Sequence, residues 1–263
     1  MSQPIPKKSL GQHWLHDDAS LQAMLDAAHV GAGDTIMEVG PGLGTLTAKL
    51  VAAADWVVAV EFDERLYHEL PSRVPAGNLQ VVQSDILRFD LTSLPAGYKV
   101  VANIPYYLTS NLVRVLSEAS NKPAYAVLLV QKEVAERLAA KPGNLSILGV
   151  TAQFHWQVSL GPLVPAELFT PPPKVDSQIV ILKGRKKPLF DGVDSKLLFR
   201  LVKAGFGEKR KTLRNSISGG LHLDKSQTEA LLKAAGIDPQ LRAQNLTLEQ
   251  WHQLYVAYVA TYL

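Results

Sequence analysis

The chain has 263 residues, 27 Lys plus Arg against 24 Asp plus Glu, 47% hydrophobic residues and no cysteine. That length suits one large domain or two small ones, and the apolar share belongs to a globular core rather than a disordered chain. Zero cysteine excludes disulfides, thiolate nucleophiles, cysteine-held zinc and iron–sulfur clusters. No apolar run nears the roughly 18 residues of a membrane span. Residues 1–10 carry lysines without an apolar stretch behind them, unlike a secretory leader. A cytoplasmic protein without a membrane partner is expected.

In chain order, residues 17–28 read as a helix with Asp17 or Asp18 as N-cap. Residues 34–39 form a short apolar run that ends at a glycine turn, and residues 43–54 are rich in helix formers. A second β-branched run covers 56–61, followed by helical composition over 64–70. Residues 79–83 and 98–102 read as strands, 108–120 as a helix and 124–130 as a buried strand. Strands apolar on both faces, separated by helices, predict a parallel sheet covered on both sides. This is a doubly wound, Rossmann-like α/β domain, placed at residues 1–184. Residues 184–194 are basic and carry Pro188 and Gly192, as a linker does. From Ser195 helical periodicity dominates, with breaks expected at Gly219-Gly220 and near Gly236, so 185–263 read as a small all-helical domain.

Charge is unevenly spread. Residues 183–214 hold eleven basic and three acidic side chains, a local net of +8 in a chain whose total is +3. A concentrated basic segment on an acidic body points to an anionic partner, most often nucleic acid. The seven histidines are scattered without metal-ligand spacing, so no metal site is expected.

Four features carry chemistry. The run Glu38-Val-Gly-Pro-Gly-Leu-Gly-Thr45 lies between a strand and a helix. Glycines at 40, 42 and 44 let backbone approach a ligand closely, but a dinucleotide fingerprint wants glycine at position 45, which is Thr. Glu61 ends the next strand and suits two ribose hydroxyls, and Asp85 follows a third strand and suits an adenine amino group. The set describes an adenosine-bearing cofactor without a phosphate cradle, which S-adenosylmethionine meets better than NAD or ATP. The fourth feature is Asn103-Ile-Pro-Tyr106, an aromatic beside an amide on a proline-fixed turn. Such a turn can stack on an extruded base and accept both protons of its exocyclic amine.

The ordered set Lys7-Lys-Ser-Leu-Gly-Gln-His-Trp-Leu15, Glu38 to Gly44, Glu61, Asp85, Asn103 to Tyr106 and Phe169-Thr-Pro-Pro-Pro-Lys-Val-Asp-Ser177 resembles the ribosomal RNA adenine N6-dimethyltransferases. Phe206-Gly-Glu-Lys-Arg-Lys-Thr-Leu-Arg-Asn215 extends the resemblance into the helical domain. The resemblance implies S-adenosylmethionine as cofactor, held by His13, Leu15, Gly40, Gly42, Glu61, Asp85 and Asn103. It implies catalysis by Asn103, Pro105 and Tyr106, with Phe169 closing on the other face of the target adenine. Lys209, Arg210, Lys211 and Arg214 would hold RNA phosphates at a cleft between the domains. The implied substrate is two adjacent adenosines near the 3′ end of small-subunit (16S) ribosomal RNA in a 30S precursor, modified by a monomer during late assembly. A large-subunit methylase of the antibiotic-resistance type and a non-catalytic assembly factor are the alternatives. His13-Trp14 replaces the family's usual Asn-Phe, and Tyr107 stands where Asn is more usual.

Overall fold

A computed structural model describes residues 11–208 and 210–263. Lys7 to Leu10 of the N-terminal motif and Lys209 lie outside the described residues. In chain order the elements are β1 (Trp14–Leu15), α1 (Asp18–Ala27), β2 (Thr35–Val39), α2 (Thr45–Ala53), β3 (Trp56–Glu61), α3 (Glu64–Arg73), β4 (Leu79–Gln83), β5 (Lys99–Asn103), α4 (Thr109–Glu118), β6 (Tyr125–Gln131), α5 (Lys132–Leu138), α6 (Ile147–His155), β7 (Trp156–Val164), β8 (Phe169–Thr170) and β9 (Ser177–Gly184). They continue with α7 (Ser195–Phe206), α8 (Leu213–Leu221), α9 (Lys225–Ala234) and α10 (Leu248–Tyr262).

Contacts divide the chain into two units. The first runs to Glu136 and adds Trp156–Gly184; the second joins Arg137–His155 to Arg185–Leu263. A single cut at 184 therefore misses an exchange: the segment with α6 packs with the later helices. Val150 and Phe154 of α6 lie in the same buried cluster as Leu198, Leu231 and Trp251.

The first unit is a seven-stranded sheet in the order β4-β3-β2-β5-β6-β9-β7. The five strands from β4 to β6 are parallel; β9 and β7 join antiparallel. The sequence reading found the parallel strands because their apolar residues face both ways. It missed β7, an edge strand whose residues are mostly exposed, and β9 with it. Asp17 is the cap of α1, accepting from the Ser20 N–H. On one face, Leu21, Met24 and Leu25 of α1 pack with Leu46 and Leu50 of α2 over Ile36, Val57, Val101 and Val127. α4 buries Leu112, Val113 and Leu116, and its Ser117 accepts a 2.8 Å hydrogen bond from the Trp156 indole.

The second unit is helical. Leu198, Leu201 and Val202 of α7, Ile217 of α8, Leu231 and Leu232 of α9, and Trp251, Leu254 and Tyr258 of α10 share one core. Gly219-Gly220 does not break the chain: both lie inside α8. A Cβ on Gly220 would stand 2.6 Å from the Ala204 Cβ, so this glycine lets α8 and α7 touch. The helix ends instead at His222, in the left-handed region with φ 57°. The second expected break holds: α9 ends at Ala234 and Gly236 has φ 67°.

Glu38 of β2 is fully buried, and that burial pushes its carboxyl up to about 8, with the Thr47 hydroxyl pulling it down and Glu61 pushing it further up. It is therefore a neutral acid at pH 7. Because the folded state holds this proton more tightly than the unfolded chain, the stability it contributes is present at low pH and lost as pH rises through about 8. The melting temperature should fall by roughly 5–10 °C from pH 6 to pH 8.5 in thermal unfolding. Glu38→Gln should flatten that profile, and an unchanged slope would show that another group sets it.

Candidate active site

The parallel strands end on one edge of the sheet, and chain reversals there open a cavity of about 300 Å³. In such sheets ligands bind at this edge. His13, Leu15, Gly40, Gly42, Glu61, Asp85, Asn103, Pro105, Tyr106 and Phe169 all border this one cavity. They come from chain positions more than 150 residues apart, and the strand register of the first unit brings them together.

The glycine loop follows β2. Its three glycines have φ of 68°, 57° and 86°, which L side chains rarely adopt. Their surroundings differ. A Cβ on Gly40 would meet nothing within 4 Å; one on Gly42 would stand 3.4 Å from the Trp14 ring. On Gly44 it would collide with Val74 and Leu70 at 2.7 and 2.9 Å, so Gly44 serves packing against α3 and its flank. Their N–H groups are already committed. Gly40 donates to the Val60 carbonyl at 2.9 Å, Gly44 to the Pro41 carbonyl at 2.9 Å and Gly42 to the Glu61 carboxylate at 3.2 Å. A phosphate cradle needs free N–H groups aimed at the ligand. This loop spends its glycine donors internally and has a carboxylate beside it.

Glu61 ends β3 and is 6% exposed. Its Oε2 accepts from Gly42 and its Oε1 from the Asp63 N–H at 2.8 Å. Burial pushes its pKa up, and these N–H groups pull it back. Each oxygen keeps a lone pair for a ligand hydroxyl. Asp85 follows β4 with Oδ1 on the Leu87 N–H at 3.0 Å, which fixes the carboxylate plane. Two fixed acceptors, room at Gly40 and no phosphate cradle fit an uncharged adenosine carrying a cationic sulfur.

Asn103 is the last residue of β5. Its Nδ2 donates to the His13 carbonyl at 3.3 Å, which turns the amide oxygen the other way. After it, Pro105 opens a 3-10 turn over Tyr106–Leu108, closed by the Leu108 N–H on the Pro105 carbonyl at 3.0 Å. Tyr106 is half-buried. Its hydroxyl pairs with Ser177 at 3.0 Å, and burial raises its pKa, so the phenol stays neutral.

The N-terminal strap closes the site. β1 pairs antiparallel with β8, Leu15 opposite Phe169. Phe169 is 3% exposed and sits in the cavity wall within the main core, already packed. Thr45, read as a departure from a glycine fingerprint, ties the strap to α2: its hydroxyl donates to the Leu15 carbonyl at 3.0 Å. The His13 ring has two partners in the wall of the site. Its Nδ1 donates to the Pro171 carbonyl at 2.7 Å, and the ring lies nearly parallel to Tyr106, centroids 5.9 Å apart.

Sequence reasoning missed Trp14 and Ser177. Trp14 borders the cavity, 7% exposed, with an indole N–H that has no partner. The signal for Ser177 was present at the end of the Pro-Pro-Pro-Lys-Val-Asp-Ser motif, but its partner Tyr106 is 71 residues away.

In the second unit, Arg210 and Lys211 are exposed. Arg214 is paired: its Nη1 lies 3.2 Å from Glu229, which also holds Lys233 at 2.9 Å. Lys196, Arg200 and Lys203 of α7 line an open groove with Ser216 and Gly220. Among the described residues no cluster of His, Asp or Glu could hold a metal ion, and no helix is long and apolar enough to cross a membrane.

Known proteins match this arrangement. A model of the ribosomal RNA adenine dimethylase family matches residues 6–259. A protein of Dehalococcoides mccartyi named ribosomal RNA small subunit methyltransferase A is 41% identical, the match covering 96% of this chain and 88% of that one. Proteins of the same name from Moorella thermoacetica and Bacillus cereus are 38% and 37% identical, covering 94% and 96% of this chain and 90% and 91% of theirs. Among solved structures, a dimethyladenosine transferase from Plasmodium falciparum superposes with a TM-score of 0.78 at 26% identity, over 94% of this chain and 97% of that one. The 23S rRNA methyltransferase ErmE follows with a TM-score of 0.73 at 28% identity, over 93% and 98%. The chain belongs to the ribosomal RNA adenine dimethylase family and is an rRNA dimethyltransferase that uses S-adenosylmethionine.

Proposed function

We propose that the enzyme dimethylates N6 of two adjacent adenosines near the 3′ end of small-subunit rRNA, acting as a monomer on a late 30S precursor. One observation carries the chemistry: the Asn103–Tyr106 turn borders the same cavity as Glu61 and Asp85. A cofactor site and a base site are thus continuous. The choice of the small subunit rests on the names of the relatives at 37–41% identity.

S-adenosylmethionine supplies a methyl group on a positively charged sulfur. In this reading Glu61 accepts the ribose hydroxyls and Asp85 the adenine amino group. Gly40 leaves space for the methionine part, while Gly42 orients Glu61. His13 contributes through its backbone, which holds Asn103, and Leu15 walls the pocket. Tyr106 stacks on the extruded adenine, worth about 1–3 kcal/mol and enough to help offset unstacking. Phe169 supports the base from the cavity wall. Asn103 Oδ1 accepts one N6 proton, and a carbonyl of the Ile104-Pro105 turn accepts the other. With both protons held, the nitrogen lone pair would leave conjugation with the ring and attack the methyl carbon, the sulfur departing as a neutral thioether with the electron pair of the broken sulfur–carbon bond. N6 then carries positive charge and releases a proton to water, so no strong base is needed. Arg210 and Lys211 would meet RNA phosphates, contacts that position without reading sequence. Arg214 is committed to Glu229 and would have to exchange partners to join them.

The likeness to ErmE supports a second reading, action on large-subunit RNA. Unmethylated small and large subunits, offered separately with methyl-labelled cofactor, distinguish the two. Label in small subunits is expected. Label in large subunits alone would replace this reading with the resistance-type enzyme, and cofactor binding without label in either would make the protein an assembly factor. On small subunits, Tyr106→Ala should keep cofactor affinity and lose about 5- to 150-fold in kcat/KM. Tyr106→Phe, which loses only the Ser177 contact, should lose far less. An unchanged rate in Tyr106→Ala would remove the stacking role.

A further inference from the structure

We infer that Tyr107 is a stacking platform for the RNA base next to the target adenosine, an inference that rests on the proposed role of Tyr106. Tyr107 is 63% exposed yet borders the cavity. Lone exposed apolar side chains are ordinary; this one borders the cavity that Tyr106 also borders. Its ring atoms Cδ1 and Cε1 lie 3.7 Å from where a Cβ on Gly11 would stand. The chain at Gly11 therefore passes beside the ring, and its exposure leaves most of it to solvent.

The local geometry assigns the two tyrosines different jobs. Successive residues of a 3-10 turn point about 120° apart. Tyr106 turns inward to Ser177, and Tyr107 turns outward. Their Cα atoms are about 3.8 Å apart, so the nucleotide joined to one held by Tyr106 is within reach of Tyr107. Extruding an adenosine strips one stacking face from its neighbour. An aromatic ring at the mouth restores that face, and such stacking tolerates any base because every base has a π-face. The occupant is therefore a single-stranded purine or pyrimidine of the rRNA, and the contact is one of binding.

The test compares wild type, Tyr107→Phe, Tyr107→Leu and Tyr107→Ala. Steady-state kinetics on unmethylated small subunits give KM and kcat, and calorimetry gives the Kd for S-adenosylhomocysteine. Tyr107→Ala and Tyr107→Leu should raise the KM for subunits by about 5- to 150-fold, with kcat and cofactor Kd held. Tyr107→Phe should match wild type. An unchanged KM in Tyr107→Ala would overturn the inference. So would full rescue by Leu, which would make the contact merely apolar, or an equal loss of cofactor affinity, which would make the role structural. Wild-type protein that leaves small subunits unlabelled would overturn the reading beneath it, and this inference with it.

Discussion

The site is organised around a buried carboxylate. Glu61 takes the N–H of Gly42 on one oxygen and that of Asp63 on the other, inside a wall of apolar strands. A hydrogen bond to an ionised group is stronger than a neutral one, and leaving such a group unpaired in the interior would cost several kcal/mol. The glycine loop is therefore bound to the end of β3. That binding decides the ligand. With donors at Gly40, Gly42 and Gly44 committed inside the protein, and acids at 61 and 85 around the cavity, the loop suits a cationic sulfonium nucleoside and not a diphosphate.

The second dependency is the strap. β1 is only two residues long, yet Leu15 pairs with Phe169, its carbonyl takes the Thr45 hydroxyl, and the His13 carbonyl takes the Asn103 amide. One short segment thus joins the glycine-loop helix, the Asn103–Tyr106 turn and the Pro-Pro-Pro-Lys-Val-Asp-Ser segment. The last of these supplies Ser177 to Tyr106. The glycine-loop helix and the Asn103–Tyr106 turn are tied to the same backbone.

Much of this was legible in the residues. β3 and β4 fall where the apolar runs placed them, and every candidate cofactor residue borders one cavity, because the parallel strands all end on the same edge of the sheet. The misreadings share physical causes. β7 alternates weakly and lies at the edge, so it lacks the apolar run that marks a central strand. Gly219-Gly220 carries the same signature whether it ends a helix or lets two helices touch, and only the Ala204 contact separates the cases. The segment with α6 joins the helical unit through contacts with residues tens of positions away. His13 borders the cavity as expected, but its hydrogen bond to the Pro171 carbonyl spans 158 residues and its stacking beside Tyr106 has no local signature in the sequence. Periodicity reports what an element buries; it does not report which distant atom a polar side chain finds.

In the proposed reaction Asn103 holds the target amine and touches a cofactor anchored mainly by Glu61 and Asp85. The direct measurement is a quantitative nucleoside digest of small-subunit rRNA after reaction with wild type and Asn103→Ala, with cofactor affinity measured on the same preparations. The expected result is N6,N6-dimethyladenosine from wild type and almost none from Asn103→Ala, while the variant still binds S-adenosylhomocysteine within about tenfold, the loss of one to two hydrogen bonds. Dimethyladenosine formed by Asn103→Ala at the wild-type rate would contradict it.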